Sequence, residues 1–343
     1  MMAGIGIILL LFEVGLETNI KRLIHSSKKS VIIAVFGFTF PFILGFIVAY
    51  NIFSQSLLTA LFVGGTITAT SIGITVRVLT DLNLEQSRIG QIVLGAAVID
   101  DVLGVMLLAL LYEFSIGGGV SFVNVGKVVL FVSAFFILAP ILAKLISLLI
   151  RKFDAVSEIP GLIPTSMISL VLFFAWLAHI LGAPELLGGF AAGLALSRRF
   201  FIPFGIALHA DEDFADRIEQ QMKPIIQLFT PIFFVVVGLS LALREIDWSS
   251  PTIWLFTLLL FIVAFAGKMI GSLFINENRF SRIMIGMSMV PRGEVGLIFA
   301  ELGREADIFS NEIYASLVLV IAFTTILPPL IMKWLNNRES IIN

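Results

Sequence analysis

Apolar residues run along this chain in long unbroken stretches, not at a spacing of two or of 3.6. Eleven stretches stand out: Met2–Leu16, Val31–Tyr50, Leu57–Leu79, Ile89–Leu111, Val125–Ile150, Leu162–Leu181, Leu186–Leu196, Ile225–Leu243, Thr252–Ile275, Ile283–Leu302 and Ile313–Leu335. Most approach or exceed the ~20 residues that an α-helix needs to cross a bilayer. A barrel would show alternating segments of about ten residues instead. The pattern predicts an all-α polytopic membrane protein.

The polar exceptions inside these stretches carry the chemistry. Asp100 and Asp101 fall near the middle of Ile89–Leu111. A charge at that depth costs at least ~2.5–3.5 kcal/mol. Neighbours on a helix point about 100° apart, so one carboxylate can take a partner while the other faces a cavity. An ion or proton site is the expected use, and a structural pair between helices is the alternative.

Two stretches are full of helix breakers. One is Gly64-Gly65-Thr66-Ile67-Thr68-Ala69-Thr70-Ser71-Ile72-Gly73, and the other runs from Gly286 through Pro291 and Gly293 to Gly296. Each begins about fifty residues after a similar segment, Leu11 to Leu16 in one case and Val235 to Leu239 in the other. Breakers at matching places in two halves point to a transporter site. Pro291 has no N–H for the carbonyl of Met287, so that carbonyl is expected to face a cavity, opposite the hydroxyls of Thr70 and Ser71. Close packing through small residues would explain either run alone.

Charge orients the picture. Alternate loops, beginning after the first stretch, carry sixteen Lys and Arg, among them Lys28, Lys29, Arg88, Arg279 and Arg282. The opposite loops carry Lys127, Arg244 and Arg304. The bias predicts that the sixteen and the C-terminus are cytoplasmic. It also makes the Gly15 stretch run inward and the Gly238 stretch outward, as in an inverted repeat. On that scheme residues 1–112 hold four helices of a first repeat, 113–160 a linker helix and 161–343 six helices of a second, so two helices are expected to be lacking from the first.

Composition fits: of 343 residues 58% are hydrophobic and 13% charged, and mean hydropathy is +1.05. Soluble domains carry about 25% charged residues. No cysteine is present, which excludes disulfides and thiolate metal sites. No soluble C-terminal domain, cleavable leader, cofactor or nucleic-acid partner is expected. His25 and His209 are candidate loop pH sensors, and His179 is expected to be structural. Gly117-Gly118-Gly119 reads as a loop, and Ile202–Gln220 as an amphipathic interfacial helix.

Five motifs in order, Leu10-Leu11-Phe12-Glu13-Val14-Gly15-Leu16-Glu17, Thr68-Ala69-Thr70-Ser71, Asp100-Asp101, Gly267-Lys268-Met269-Ile270-Gly271 and Val290-Pro291-Arg292-Gly293-Glu294-Val295, resemble the monovalent cation:proton antiporter-2 family, the sodium/hydrogen exchanger type of bacteria. The resemblance covers essentially the whole chain. It implies an inverted-repeat antiporter fold with two broken transmembrane helices, in the cell membrane of a bacterium or archaeon. It implies exchange of Na+, or of Li+ or K+, for H+, and a homodimer for the full-length form. Adjacent aspartates mark the electrogenic members. By resemblance, Asp101 is the cation-binding carboxylate, holding Na+ transiently with Asp100, and Lys268 pairs with Asp100. Glu13, Arg292 and Glu294 are the other membrane charges, expected in ion pairing or proton coupling, and a snorkelling lysine is the alternative for Lys268.

Other classes fit less well. An intramembrane aspartyl protease needs its carboxylates on two facing helices, whereas these are adjacent on one. An organic-anion/sodium symporter on the same fold is disfavoured by Lys268 and by Arg292-Gly293-Glu294. A potassium efflux antiporter and an inactive truncated paralogue stay open.

Overall fold

The computed structural model describes residues 2–17, 27–84, 86–116, 161–180, 185–196, 212–241, 243–244 and 246–342, together with Leu138, Ile141, Leu142 and Leu145. Among these residues the regular structure is helical, and six helices are long and apolar enough to cross a membrane. The expected linker helix Val125–Ile150, the glycine loop, His25 and His209 lie outside the described residues or touch them at isolated positions.

The chain divides into two compact units, one of residues 1–24 and 112–240, the other of 25–111 and 241–343. Each draws on both halves of the sequence.

Unit 1 holds α1 (Met2–Glu17), α6 (Leu162–Ile180), α7 (Glu185–Leu196) and α8 (Glu212–Leu239). Glycines set its spacing. A Cβ on Gly189 would lie 2.6 Å from the carbonyl oxygen of Ile8, and one on Gly6 would lie 2.8 Å from that of Phe229. Small residues let helix backbones approach where lipid offers no hydrophobic drive. The expected amphipathic helix over Ile202–Gln220 is not separate where described: residues 212–220 are the first turns of α8, and Ile218 and Met222 turn inward.

Unit 2 holds α2 (Lys28–Ile47), continued by a π-turn over Val48–Ile52, α3 (Leu57–Thr66), α4 (Ile72–Asp81) and α5 (Arg88–Ile116) up to Leu111. Its later elements are α9 (Pro251–Leu273), α10 (Arg279–Ser288), α11 (Glu294–Glu305) and α12 (Asn311–Ile342). Both breaker-rich stretches are broken helices, α3/α4 and α10/α11. Each restart has a local cause. The Ser71 hydroxyl caps α4 by accepting from Ile74 N–H. Pro291 and Gly293 end one segment, and Glu294 opens the next with a negative charge at the positive end of α11.

Packing around the breaks is tight. Ala96, Ala97, Met287, Met289 and Val290 share one buried cluster. Gly267 and Gly271, four residues apart on α9, lie against α2: a Cβ on Gly267 would be 2.9 Å from Pro41, and one on Gly271 would be 3.0 Å from the Ile33 carbonyl oxygen. This close approach buries the intervening Lys268, whose Cδ lies 3.4 Å from the Cβ position of Gly37.

Candidate functional site

Unit 2 brings together residues from both breaks, from α5 and from α9. Lys268 Nζ donates to Asp100 Oδ1 at 2.7 Å, and both side chains are fully buried. The other Asp100 oxygen accepts the backbone N–H of Thr70 at 3.2 Å. Thr70 precedes the cap of α4, so Asp100 sits at the positive end of that half-helix. Asp101, one residue on, is 5% exposed.

The two breaks satisfy each other's backbone. Ser71 N–H donates to the Pro291 carbonyl at 3.0 Å, Thr70 Oγ1 to that of Met289 at 3.3 Å, and Thr75 Oγ1 to that of Ser288 at 2.8 Å. In return, Arg292 Nη1 donates to the carbonyls of Thr68 (2.9 Å) and Ala69 (3.2 Å), while Nη2 reaches that of Ala264 on α9 (2.9 Å). Arg292 is fully buried, and its cation lies beside the negative end of α3, where carbonyls lack helical partners. Thr325 Oγ1 on α12 donates to the Arg292 carbonyl.

One expectation changes. The carbonyl of Met287 is not released to a cavity: Val290 N–H donates to it at 3.1 Å, inside the turn that closes α10. The carbonyls that leave the helical pattern are those one, two and four residues later. Arg292 hydrogen-bonds to carbonyls, its planar fork reaching two acceptors past the end of α3 and one on α9.

Ser71 Oγ donates to Glu294, at 3.0 Å to Oε2 and 3.3 Å to Oε1. A hydroxyl that donates keeps lone pairs, so Thr70 and Ser71 retain acceptor capacity. Asp100, Asp101, Thr70, Ser71, Lys268, Arg292 and Glu294 thus all belong to unit 2. Glu13 lies half-buried on α1 of unit 1.

A further charged group went unread in the sequence. Glu301 is 4% exposed, receives Arg304 at 2.6 and 3.1 Å, and accepts the Tyr314 hydroxyl at 2.8 Å, tying α11 to α12. The spacing of Glu301 and Arg304 by three was the available signal.

A helical bundle that crosses two broken helices over a buried acid–base pair defines a membrane transporter. The sequence pattern described as "Sodium/hydrogen exchanger, transmembrane" matches residues 1–337, and this chain belongs to that family, whose members are transporters and not enzymes. The high-affinity Na+/H+ antiporter NhaS3 of Synechocystis is 32% identical over 329 residues, 95% of this chain and 68% of the relative. The Na+/H+-K+ antiporter GerN of Bacillus cereus is 30% identical over 339 residues, 97% and 82%. A sodium proton antiporter structure from Methanocaldococcus jannaschii shares the fold, with TM-score 0.64 at 16% identity over 96% of this chain and 82% of that one. The chain is a multi-pass membrane protein.

Proposed function

We propose that this protein exchanges a monovalent cation, Na+ in the first instance, for protons through Asp100 and Asp101. The observation that carries the reading is the fully buried Asp100–Lys268 pair at the crossing of two broken helices. Asp100, Asp101 and Glu294 against Lys268 and Arg292 give a formal charge of −1 while Lys268 keeps its proton. Burying an unneutralised charge is costly, so a proton or a cation is drawn to the carboxylates.

Asp101 is the shared ligand: a carboxylate that holds Na+ cannot also hold a proton, and this competition makes exchange obligatory. A hard cation takes oxygen ligands, and Thr70 and Ser71 can add hydroxyl lone pairs. When Asp100 turns to the cation, Lys268 loses its partner and releases a proton, which makes the cycle electrogenic. Arg292 holds the crossing together, Glu294 anchors Ser71, and Glu13 is a proton-coupling candidate in unit 1. Alternating access is elevator-type, a rigid-body displacement of the unit that carries the broken helices. The sixteen loop bases and the C-terminus face the cytoplasm of a bacterial or archaeal cell, the working form is a homodimer, and the inverted repeats occupy 1–112 and 161–343 about a linker helix.

The K+ in the name of the Bacillus relative favours a second reading, potassium/proton efflux through the same residues. The test is purified protein in liposomes containing a pH dye, pulsed separately with Na+, Li+ and K+. Na+-driven proton movement supports the first reading and a K+ response alone the second. No response to any of the three from monodisperse, helical protein overturns both, and leaves an inactive paralogue.

A further inference from the structure

The end of unit 2 where α2 finishes and α9 and α12 begin holds a cavity of about 370 Å3. This is the opposite end of α2 from Lys28. Its floor is apolar: Ile253 and Phe256 are buried, and Phe53 meets Phe256 edge-on with ring centres 4.7 Å apart. Phe53 follows the π-turn Val48–Ile52, a geometry that recurs at functional sites. The charged residues that line the cavity are Asp247 and Glu312, both acidic. Asp247 Oδ1 already accepts Ser249 N–H at 3.0 Å.

A second observation points to a ligand. Ser316 lines the cavity from α12, is 1% exposed, and its Oγ has no hydrogen-bond partner among the described residues. A buried hydroxyl without a partner is costly, and a bound group that hydrogen-bonds to it recovers that cost.

We propose that this cavity binds a small organic cation with an apolar body, of the amidine or aryl-ammonium class. The volume falls in the range of small-molecule sites. The two carboxylates select positive charge over negative, and the aromatic faces accept both an apolar ring and a cation. Ser316 supplies the one deep polar contact. The cavity is separate from the antiport site: Lys268 lies fifteen residues beyond Ile253 on α9, about 22 Å by helical rise.

Three probes of one shape test the assignment: benzamidine, benzamide and benzoate, which are cationic, neutral and anionic. Each is titrated against the purified full chain in detergent by saturation-transfer NMR. Benzamidine should bind at least tenfold more tightly than benzamide, and benzoate more weakly than either. Asp247→Asn with Glu312→Gln should reduce benzamidine to the level of benzamide while Na+/H+ exchange stays unchanged. Ser316→Ala should weaken benzamidine and benzamide by similar factors. Equal binding of all three probes, or of none, overturns the proposal. So does benzamidine binding that survives the double substitution, or that Asp101→Asn abolishes while the double substitution leaves it intact, which would put the amidine in the antiport site.

Discussion

Lys268 Nζ and Asp100 Oδ1 are 2.7 Å apart, and both side chains are closed to solvent. Removing one partner of such a pair strands a charge, at a cost of about 3–5 kcal/mol, less here if Asp100 takes up a proton. Lys268→Gln should therefore lower resistance to unfolding in detergent. In the proposed cycle the lysine also carries the additional proton, so the variant should still exchange but without net charge movement. Current on a solid-supported membrane, read beside a pH-dye assay, checks this. Wild-type current per proton moved would reduce the lysine to a structural role.

Asp101→Asn keeps shape and removes the charge that the cation and the proton share. Exchange in everted vesicles should drop to the background of vesicles without the protein, with thermal stability close to wild type. Sodium-driven dequenching at the wild-type level would remove Asp101 from the site.

The spans, the two interrupted helices and the residues of the crossing were legible because each breaks a strong pattern: charge in an apolar run, or Gly and Pro inside a helix. The Lys268–Asp100 contact came from resemblance, and its geometric cause was readable as Gly267 and Gly271 four residues apart. What stayed hidden depends on main-chain acceptors. Every residue has a carbonyl, so nothing in the sequence marks Thr68, Ala69 and Ala264 as the partners of Arg292. The start of α8 reads as the end of a separate interfacial helix, Ile202–Gln220, because the polar residues between Glu219 and Lys223 interrupt the apolar pattern before Ile225.

At the Lys28 end of unit 2, Glu277 follows α9 outside the membrane-spanning segments. It receives Lys29 Nζ at 2.5 Å and Arg88 Nε at 2.9 Å, joining the ends of α2 and α5 to the α9–α10 turn. The hydrogen bond from Lys29 holds its carboxyl below the ordinary value of 4.5, with Arg88 adding to the effect. A depressed acid contributes stability that is complete above its unfolded pKa and is lost as pH falls through the folded one. Thermal stability should therefore carry no Glu277 contribution to its slope from pH 7 down to about 5, and should lose that contribution below about 4.5. Glu277→Gln should lower Tm by a few degrees at pH 7, as expected for a partly exposed pair, and converge on wild type in acid. Parallel melting curves across the whole range would mean that the two ion pairs contribute nothing.

Arg292 offers the sharpest separation of charge from geometry. Its fork spans three carbonyls on two segments, Thr68 and Ala69 in the first break and Ala264 on α9. Lysine keeps the charge but presents a compact ammonium that cannot hold the same divergent acceptors. Arg292→Lys should thus cost about 1.5–3 kcal/mol, the range for lost hydrogen bonds to a charged group, and slow exchange roughly 10–100-fold if the break must be held in register for ion binding. Arg292→Met removes both charge and fork, takes the guanidinium donor from the carbonyls of Thr68 and Ala69, and should be worse on both measures. Amide hydrogen exchange over residues 67–71 reports the clamp directly and does not depend on transport. It should accelerate in both variants, more in Met than in Lys. Wild-type protection there in Arg292→Met would show that the crossing is held by the Ser71–Pro291 bond and its neighbours, with the arginine serving charge alone.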